Sequence, residues 1–478
     1  MAHNPADRVF SDDYKKNTAM MDAELGTDRS FDLKARDISA GGRRCRLYFV
    51  NGFIKDAVCE RVIAHLMAAD GEKLRACESV EQFIAGFIPY DDARAVRNIS
   101  EASDAVLSGQ PVMLCEGFDC AVILDARTYP ARDVGEPEND RVLRGSRDGF
   151  VETLVLNAAL IRRRIRDRRL VIESIQIGND SKTDVAICYI DGAVDEGLLY
   201  GVRAKLRSIK RDALTFAQES LTESMAGGRW FDPFPKVRYT ERPDTAVSNI
   251  LEGKMVILVD NSPAAMIVPT FFLDFLQETN DFYFPPLIGT YLRTVRIIIY
   301  FVTLFMIPVW YCLIKNDWSV PEYLVFIKIE HEIHLPIIVQ LLIIELLVEC
   351  MRIASLNTPT ALSNSFSVIG TLILGEFGVE SGWFVPEVIF FMAFVAIANF
   401  TQPSFELGYT FKLFRIFMLL LIAVLNYWGL IAGTVLMTAT ALTTKTVSGQ
   451  PYMYPLIPFD ARALKDLFMR ESIKRGNN

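Results

Sequence analysis

The sequence predicts an α/β soluble region of two similar tandem subdomains, followed by an all-α membrane domain with several spans. Three observations carry this. Strand, turn and helix patterns recur in the same order roughly 140 residues apart, a stretch rich in Pro, Gly and charge separates the copies, and from Ile288 onward the apolar runs reach membrane length.

Residues 1–30 are polar with little periodicity and read as a mobile tail. They carry no apolar run of signal-peptide type, so the soluble region is expected in the cytoplasm. The first subdomain, 31–135, contains RLYFVNGFIKDAVCERVIAHL: a strand, a turn at Asn51 and Gly52, and a helix with Val58, Val62 and Leu66 on one face. The second, 150–283, contains DVAICYIDGAVDEGLLYGVRAKL, where Asp191 and Gly192 take the turn. Further on, VLSGQPVMLCEGFDCAVIL matches ILEGKMVILVDNSPAAMIV, each a glycine turn, a strand, a polar turn and a second strand. The offset moves only from 140 to 144 residues between the two matches, which reads as a duplication.

The linker, 136–149, precedes a helix on which Phe150, Leu154, Ala158, Ile161 and Ile165 share a face. Arg162, Arg163, Arg164, Arg166, Arg168 and Arg169 crowd its C-terminal end, where cations complement the helix dipole. They read either as a solvated helix end or as a basic rim facing lipid headgroups or a neighbouring subunit.

Composition narrows the class. Hydrophobic residues make up 51% of the 478, and the mean hydropathy of +0.23 is high for a soluble chain. A net charge of -8 leaves no general basic face for nucleic acid. The eight cysteines include no CxxC pair and read as reduced, buried thiols. No nucleophile elbow, HExxH, P-loop or dinucleotide turn occurs, which argues against an enzyme, and no cofactor or metal site is expected.

The membrane domain, 284–445, opens with a span at about 288–314 whose Arg293 and Arg296 are expected to snorkel to cytoplasmic headgroups. The second, at about 335–354, is interrupted by Gln340, Glu345, Glu349 and Arg352. Ionisable groups in a span must face protein or water. Glu349 and Arg352 are expected to pair and lock helices together, and for Glu345 a helix-locking ion pair stands beside a cation-attracting vestibule or a contact to a partner. The segment 361–378 carries Ser363, Ser367, Gly370 and Leu374 on one stripe, with Asn364 and Thr371 alongside and Val368 or Leu374 as a candidate hydrophobic constriction. Such a stripe lines a narrow hydrated pore when copies form a ring, or serves as a close helix-packing face. A span at 385–400 follows. The last stretch, from 416 to about 442, either bends near Asn426 to Gly429 as a hairpin or leaves Lys412 and Arg415 on an interfacial helix. The basic tail, 446–478, is expected in the cytoplasm.

The segment RGSRDGFVETLVLNAALIRRRIRDRRL, with Arg144, Gly145, Arg147, Gly149, Phe150, Arg162, Arg163 and Arg164, resembles the arginine-rich signature of the GerA spore germination family, A-subunit type. ILEGKMVILVDNSPAAMIVPTFFLDFLQ, the PP-x5-YLR step ending at Arg293, and IANFTQPSFELGYTFKLFR are similar to further landmarks of that family, in its order. Ser146 stands where the family often has proline, and Asp148 where glutamate is common. The upstream stretch FDLKARDISAGGRRCRLYFVNGFIKDAV looks closer to the stage V sporulation AF branch than to the nutrient-receptor subunits. The resemblance implies an oligomer, a pentamer, that conducts monovalent cations out of the spore core across the spore inner membrane. It further implies another small membrane protein or germination receptor subunits as partners. The alternatives are a non-conducting membrane scaffold and a nutrient receptor A subunit.

Overall fold

A computed structural model describes residues 9–90, 92–129, 146–227, 231–278, 280–316, 327–357 and 377–468. The chain divides into two compact units, one of residues 1–228 with 237–269, the other of 229–236 with 270–478.

The first unit holds two five-stranded sheets of identical connectivity. One is ordered β1-β2-β4-β5-β3, from Leu33–Ala40, Arg43–Val50, Val112–Cys115, Ala121–Leu124 and Ala93–Val96. The other is β6-β7-β9-β10-β8, from Leu170–Ile177, Thr183–Ile190, Met255–Val259, Ala265–Val268 and Arg238–Thr240. The duplicated pattern read from the sequence is therefore a duplicated topology. Every pairing among the described strands is antiparallel. Strands and helices alternate as expected, but in antiparallel sheets and not in the parallel arrangement that an α/β label usually denotes. The turns fall where expected, with Gly52 at φ 88° and Gly192 at φ 78°, left-handed values that glycine tolerates.

Helices cover both faces of the first sheet, which explains why β4 and β5 are buried at every position. One face packs on the helices Tyr14–Leu25 and Ile99–Leu107 through Met21, Leu25, Ala102 and Val106. The other packs on Asp56–Ala68 and Val80–Phe87 through Val62, Leu66 and Phe83. The helix Tyr14–Leu25 corrects the expectation of a tail through residue 30. Asp13 caps it by accepting from the backbone of Lys15 and Lys16. Its mean polarity hid a buried stripe of only a few residues, Met21 and Leu25 among them. Six of the eight cysteines are buried as expected, but Cys77 is half-buried and Cys350 exposed. Burial pushes the thiols of Cys59 and Cys120 up to about 11.

The second unit is helical. Its long helices are Pro286–Lys315, Ile337–Asn357, Pro386–Phe400, Phe405–Leu425 and Tyr427–Thr443. Pro286–Lys315 and Phe405–Leu425 are long and apolar enough to cross a membrane, and Pro386–Phe400 and Tyr427–Thr443 are shorter apolar helices. Of the segment 361–378, residues 361–376 lie outside the described residues. Of the two readings of the last apolar stretch, the helical hairpin is the one observed. The helix breaks at Asn426, φ 53°, and Tyr427–Thr443 folds back on Phe405–Leu425. Close approach needs glycine there: a Cβ on Gly429 would stand 2.3 Å from the Leu421 carbonyl carbon, and one on Gly433 2.5 Å from Met418 Cγ. The tail is partly built in. Tyr452 is fully buried, with its ring centroid 5.7 Å from that of Phe234 and 6.4 Å from that of Phe275.

Gly429→Ala should lower the melting temperature of the detergent-solubilised chain by more than Gly433→Ala, because the first collides with backbone and the second with a side chain that can move. Equal losses would show that the hairpin is not this tightly closed.

Candidate functional site

The arginine-rich helix, Leu154–Arg164, is where the two sheets of the first unit meet. Residues 157–162 are all buried, which only a helix enclosed on most sides shows. Ala159 belongs to the core of the first sheet, while Leu154, Ala158 and Ile161 belong to that of the second. Of the six arginines at its C-terminal end, Arg162 is buried, Arg164 and Arg168 are half-buried, and Arg163, Arg166 and Arg169 are exposed. Arg162, with 0% exposure, gives its Nε to Asp32 Oδ2 at 2.7 Å and its Nη2 to Asp32 Oδ1 and Ser30 Oγ, both at 3.1 Å. Arg164 donates to Asp148 at 2.6 and 2.7 Å and to Ser146 Oγ at 2.9 Å.

Arg168 pairs with Glu24 and with Asp104 Oδ1 at 2.8 Å, and donates to Ser100 Oγ at 2.6 Å. Burial works against its charge, but the bond and attraction to Asp104, with Glu24, outweigh this and raise its pKa. Arg163 and Arg166 lie over the Tyr129 ring, 4.9 and 5.8 Å from its centroid. Arg169 pairs locally with Asp167 at 2.7 Å. Arg162 and Arg168 thus form an internal clamp that ties the second repeat to the first, while Arg163, Arg166 and Arg169 keep the solvated helix end. Of the other signature residues, Phe150 is buried in the second core and Gly149 beside it is buried, whereas Arg147 is exposed. Arg144 and Gly145 lie outside the described residues.

Charges in the helical unit obey the same rule. Arg296 does not snorkel, but donates to Asp281 at 2.7 and 3.0 Å and to Glu278 at 2.6 Å. Arg293 is 3.5 Å from Asp281 and donates to the Leu467 carbonyl at 3.0 Å. On Ile337–Asn357, Gln340 donates to the Leu335 carbonyl at 2.7 Å and accepts from the Val385 amide at 2.9 Å. Glu345 takes the helix-locking role: Arg415 Nη2 donates to its two oxygens at 2.7 and 3.0 Å, and Lys412 Nζ stands at 3.2 Å. Arg415 Nη1 also reaches the Thr303 carbonyl at 2.9 Å, so one side chain joins three helices.

Glu349 does lock helices together, but its partners are Lys412 Nζ at 2.5 Å and Tyr409 Oη at 3.0 Å, not Arg352. Arg352 lies over the rings of Tyr409, Phe405 and Phe400. Sequence spacing favoured the wrong pair because Glu349 and Arg352 are neighbours on one helix, while Lys412 lies 63 residues away. The cluster surrounds a cavity of about 30 Å³, enough for one or two waters. The pore candidates Ser363, Ser367, Val368, Gly370, Thr371 and Leu374 lie outside the described residues.

The profile of the Bacillus/Clostridium GerA spore germination protein family matches residues 19–478. The chain belongs to the GerA family. Within that family it is 35% identical over 455 residues to stage V sporulation protein AF of Bacillus subtilis, covering 95% of this chain and 92% of that one. Spore germination protein KA of the same organism is 28% identical, over 97% of this chain and 85% of that one. Spore germination protein A1, also of B. subtilis, is 30% identical over 80% of each. The crystal structure of the N-terminal domain of the A subunit of the Bacillus megaterium spore germinant receptor GerK3 aligns with 55% of this GerA-family chain and 97% of its own, at 22% identity and a TM-score of 0.42.

Arg162→Ala should destabilise the full-length chain by about 3–5 kcal/mol, since it strands Asp32 at 1% exposure. The pair Arg162→Met with Asp32→Leu should recover most of that loss in denaturant unfolding. A double variant as unstable as the single would remove the buried pair as the cause. In the helical unit, Arg415→Met should cost more than Lys412→Met. Without Lys412, Glu345 retains Arg415 and Glu349 retains Tyr409.

Proposed function

We propose that this GerA-family chain is a multi-span protein of the spore inner membrane that assembles into a ring, a pentamer, and conducts monovalent cations out of the spore core at germination. Its soluble region would lie on the core side. In that reading 31–135 and 150–283 are the two cytoplasmic subdomains and 284–445 is the transmembrane domain. The family supports a role in germination. The observation that carries the membrane part is the apolar helical unit in which buried Asp281 and Glu345 are paired to Arg296 and Arg415, as an unscreened carboxylate in hydrocarbon requires.

Arg293, Arg296, Arg352, Lys412 and Arg415 lie toward the start of Pro286–Lys315, the end of Ile337–Asn357 and the first half of Phe405–Leu425. Arg415 touches Thr303 and Lys412 touches Glu349, so these cations gather at one end of the helical unit. An excess of cations at one end favours the cytoplasmic side. Ile337–Asn357 runs in sequence toward the small-residue stripe at 361–378, and its anchorage by Glu345 and Glu349 would hold that stripe in place. Small residues at Ser363, Ser367 and Gly370 would line the pore, with Val368 or Leu374 as an apolar constriction. Partners would be further copies and a second small membrane protein or receptor subunits.

Reconstituted into liposomes, the purified chain with its partner should leak potassium from ring-shaped particles, and a larger residue at Ser367 or Val368 should reduce the flux at least several-fold. Rings that form without any leak would establish the scaffold reading. Flux unchanged across the Ser367 and Val368 series would remove the pore assignment while leaving conduction standing.

A further inference from the structure

The charged cluster of the helical unit does not balance itself. Lys412 and Arg415 offset Glu345 and Glu349, and Arg352 remains as a fifth charge with no carboxylate in ion-pair range among the described residues. Three rings hold its guanidinium, with centroids at 4.6 Å for Tyr409, 5.6 Å for Phe405 and 5.9 Å for Phe400. Aromatic faces attract a cation but do not replace acceptors for its five N–H groups.

Two more polar atoms are left over beside it. Arg415 is 2% exposed, and its buried Nε has no hydrogen-bond partner; the buried Oδ1 of Asn399 has none either. Both residues line the same cavity as Arg352 and Lys412. The site thus presents surplus positive charge, idle guanidinium donors and one idle acceptor. At about 30 Å³ the interior admits water but no larger group, so any oxyanion must sit at the mouth.

Depth selects the ligand. Arg352 lies five residues before the end of Ile337–Asn357, roughly 8 Å along the axis at ~1.5 Å per residue. In a helix of about the thickness of the hydrocarbon core, that is the level at which a long cationic side chain reaches lipid phosphates. We propose that the mouth of this cavity binds the headgroup of an anionic phospholipid. The phosphodiester takes the fork of Arg352, and a headgroup hydroxyl or a water held inside bridges Arg415 Nε and Asn399 Oδ1. The site rests on the membrane reading above. A net-neutral headgroup would leave the fifth charge uncompensated, so the site should discriminate by charge.

The test is native mass spectrometry of the full-length chain released from nanodiscs, titrated with phosphatidylglycerol, phosphatidylcholine or inorganic phosphate. Phosphatidylglycerol should be retained over phosphatidylcholine, Arg352→Ala should weaken that retention about tenfold, and Arg352→Lys should restore part of it. Asn399→Leu, which leaves every charge in place, should narrow the preference for phosphatidylglycerol over phosphatidic acid, which lacks the headgroup hydroxyls. Equal retention of the neutral lipid, or retention unchanged by Arg352→Ala in a chain that melts normally, would overturn the site. Inorganic phosphate at millimolar concentration displacing the lipid would overturn the lipid assignment in favour of a soluble oxyanion. Failure to enter nanodiscs would instead sink the membrane reading, whereas entry without a charge preference sinks only this site.

Discussion

The pairing of Arg162 with Asp32 is the interaction on which the architecture of the first unit depends. A guanidinium with no exposed surface is tolerable only if its charge and its donors are met, and Asp32, Ser30 and the Leu170 carbonyl meet them. Asp32 stands at the entry to β1 and Ser30 just before it, and Ser30 Oγ also accepts from the Ile172 amide of β6. One buried contact thereby fixes where the first sheet begins, where the second begins, and how the helix between them is oriented. The apolar packing of Ala158 and Ala159 on opposite cores follows from that placement. Arg168 repeats the device further along the chain, reaching two helices of the first repeat through Glu24 and Asp104.

The helical unit applies the same physics to its own buried charges. Arg415 links Ile337–Asn357 through Glu345 and Pro286–Lys315 through the Thr303 carbonyl, and so sets the lateral order of three helices more specifically than apolar packing would. Lys315 completes the far end by donating to the Ile422 carbonyl at 2.9 Å, which also accepts from the Asn426 amide, and to that of Ala423 in the last turn of the helix.

Much of the fold was legible in the sequence because the signals are local. Gly52, Gly192, Gly109 and Gly253 punctuate the two repeats at matched places, all with positive φ, and alternation or continuous apolar runs mark the strands between them. The helical hairpin was legible as one of two solutions, since Asn426 and Gly429 interrupt an otherwise continuous apolar stretch. The charged residues were found but their partners were not. Arg162 and Asp32 are 130 residues apart, and Glu345 and Arg415 are 70. Helical periodicity says which residues share a face and nothing about which distant face it meets, so Glu349 was matched with Arg352, its neighbour in sequence. The helix Tyr14–Leu25 was missed because its buried side is narrow and its remaining residues are polar. The antiparallel pairing was missed because short apolar strands separated by helices read alike in either sense.

The shared helix has a consequence for how such a chain can change. Ala158 and Ala159 are neighbours in sequence but answer to different sheets, so a larger side chain at either position perturbs a different copy of the duplicated unit. The two copies descend from one pattern yet have lost their independence. Drift in one is filtered by the volume the other can yield, and neither half can be exchanged, deleted or borrowed by another protein without carrying the helix and its arginines along.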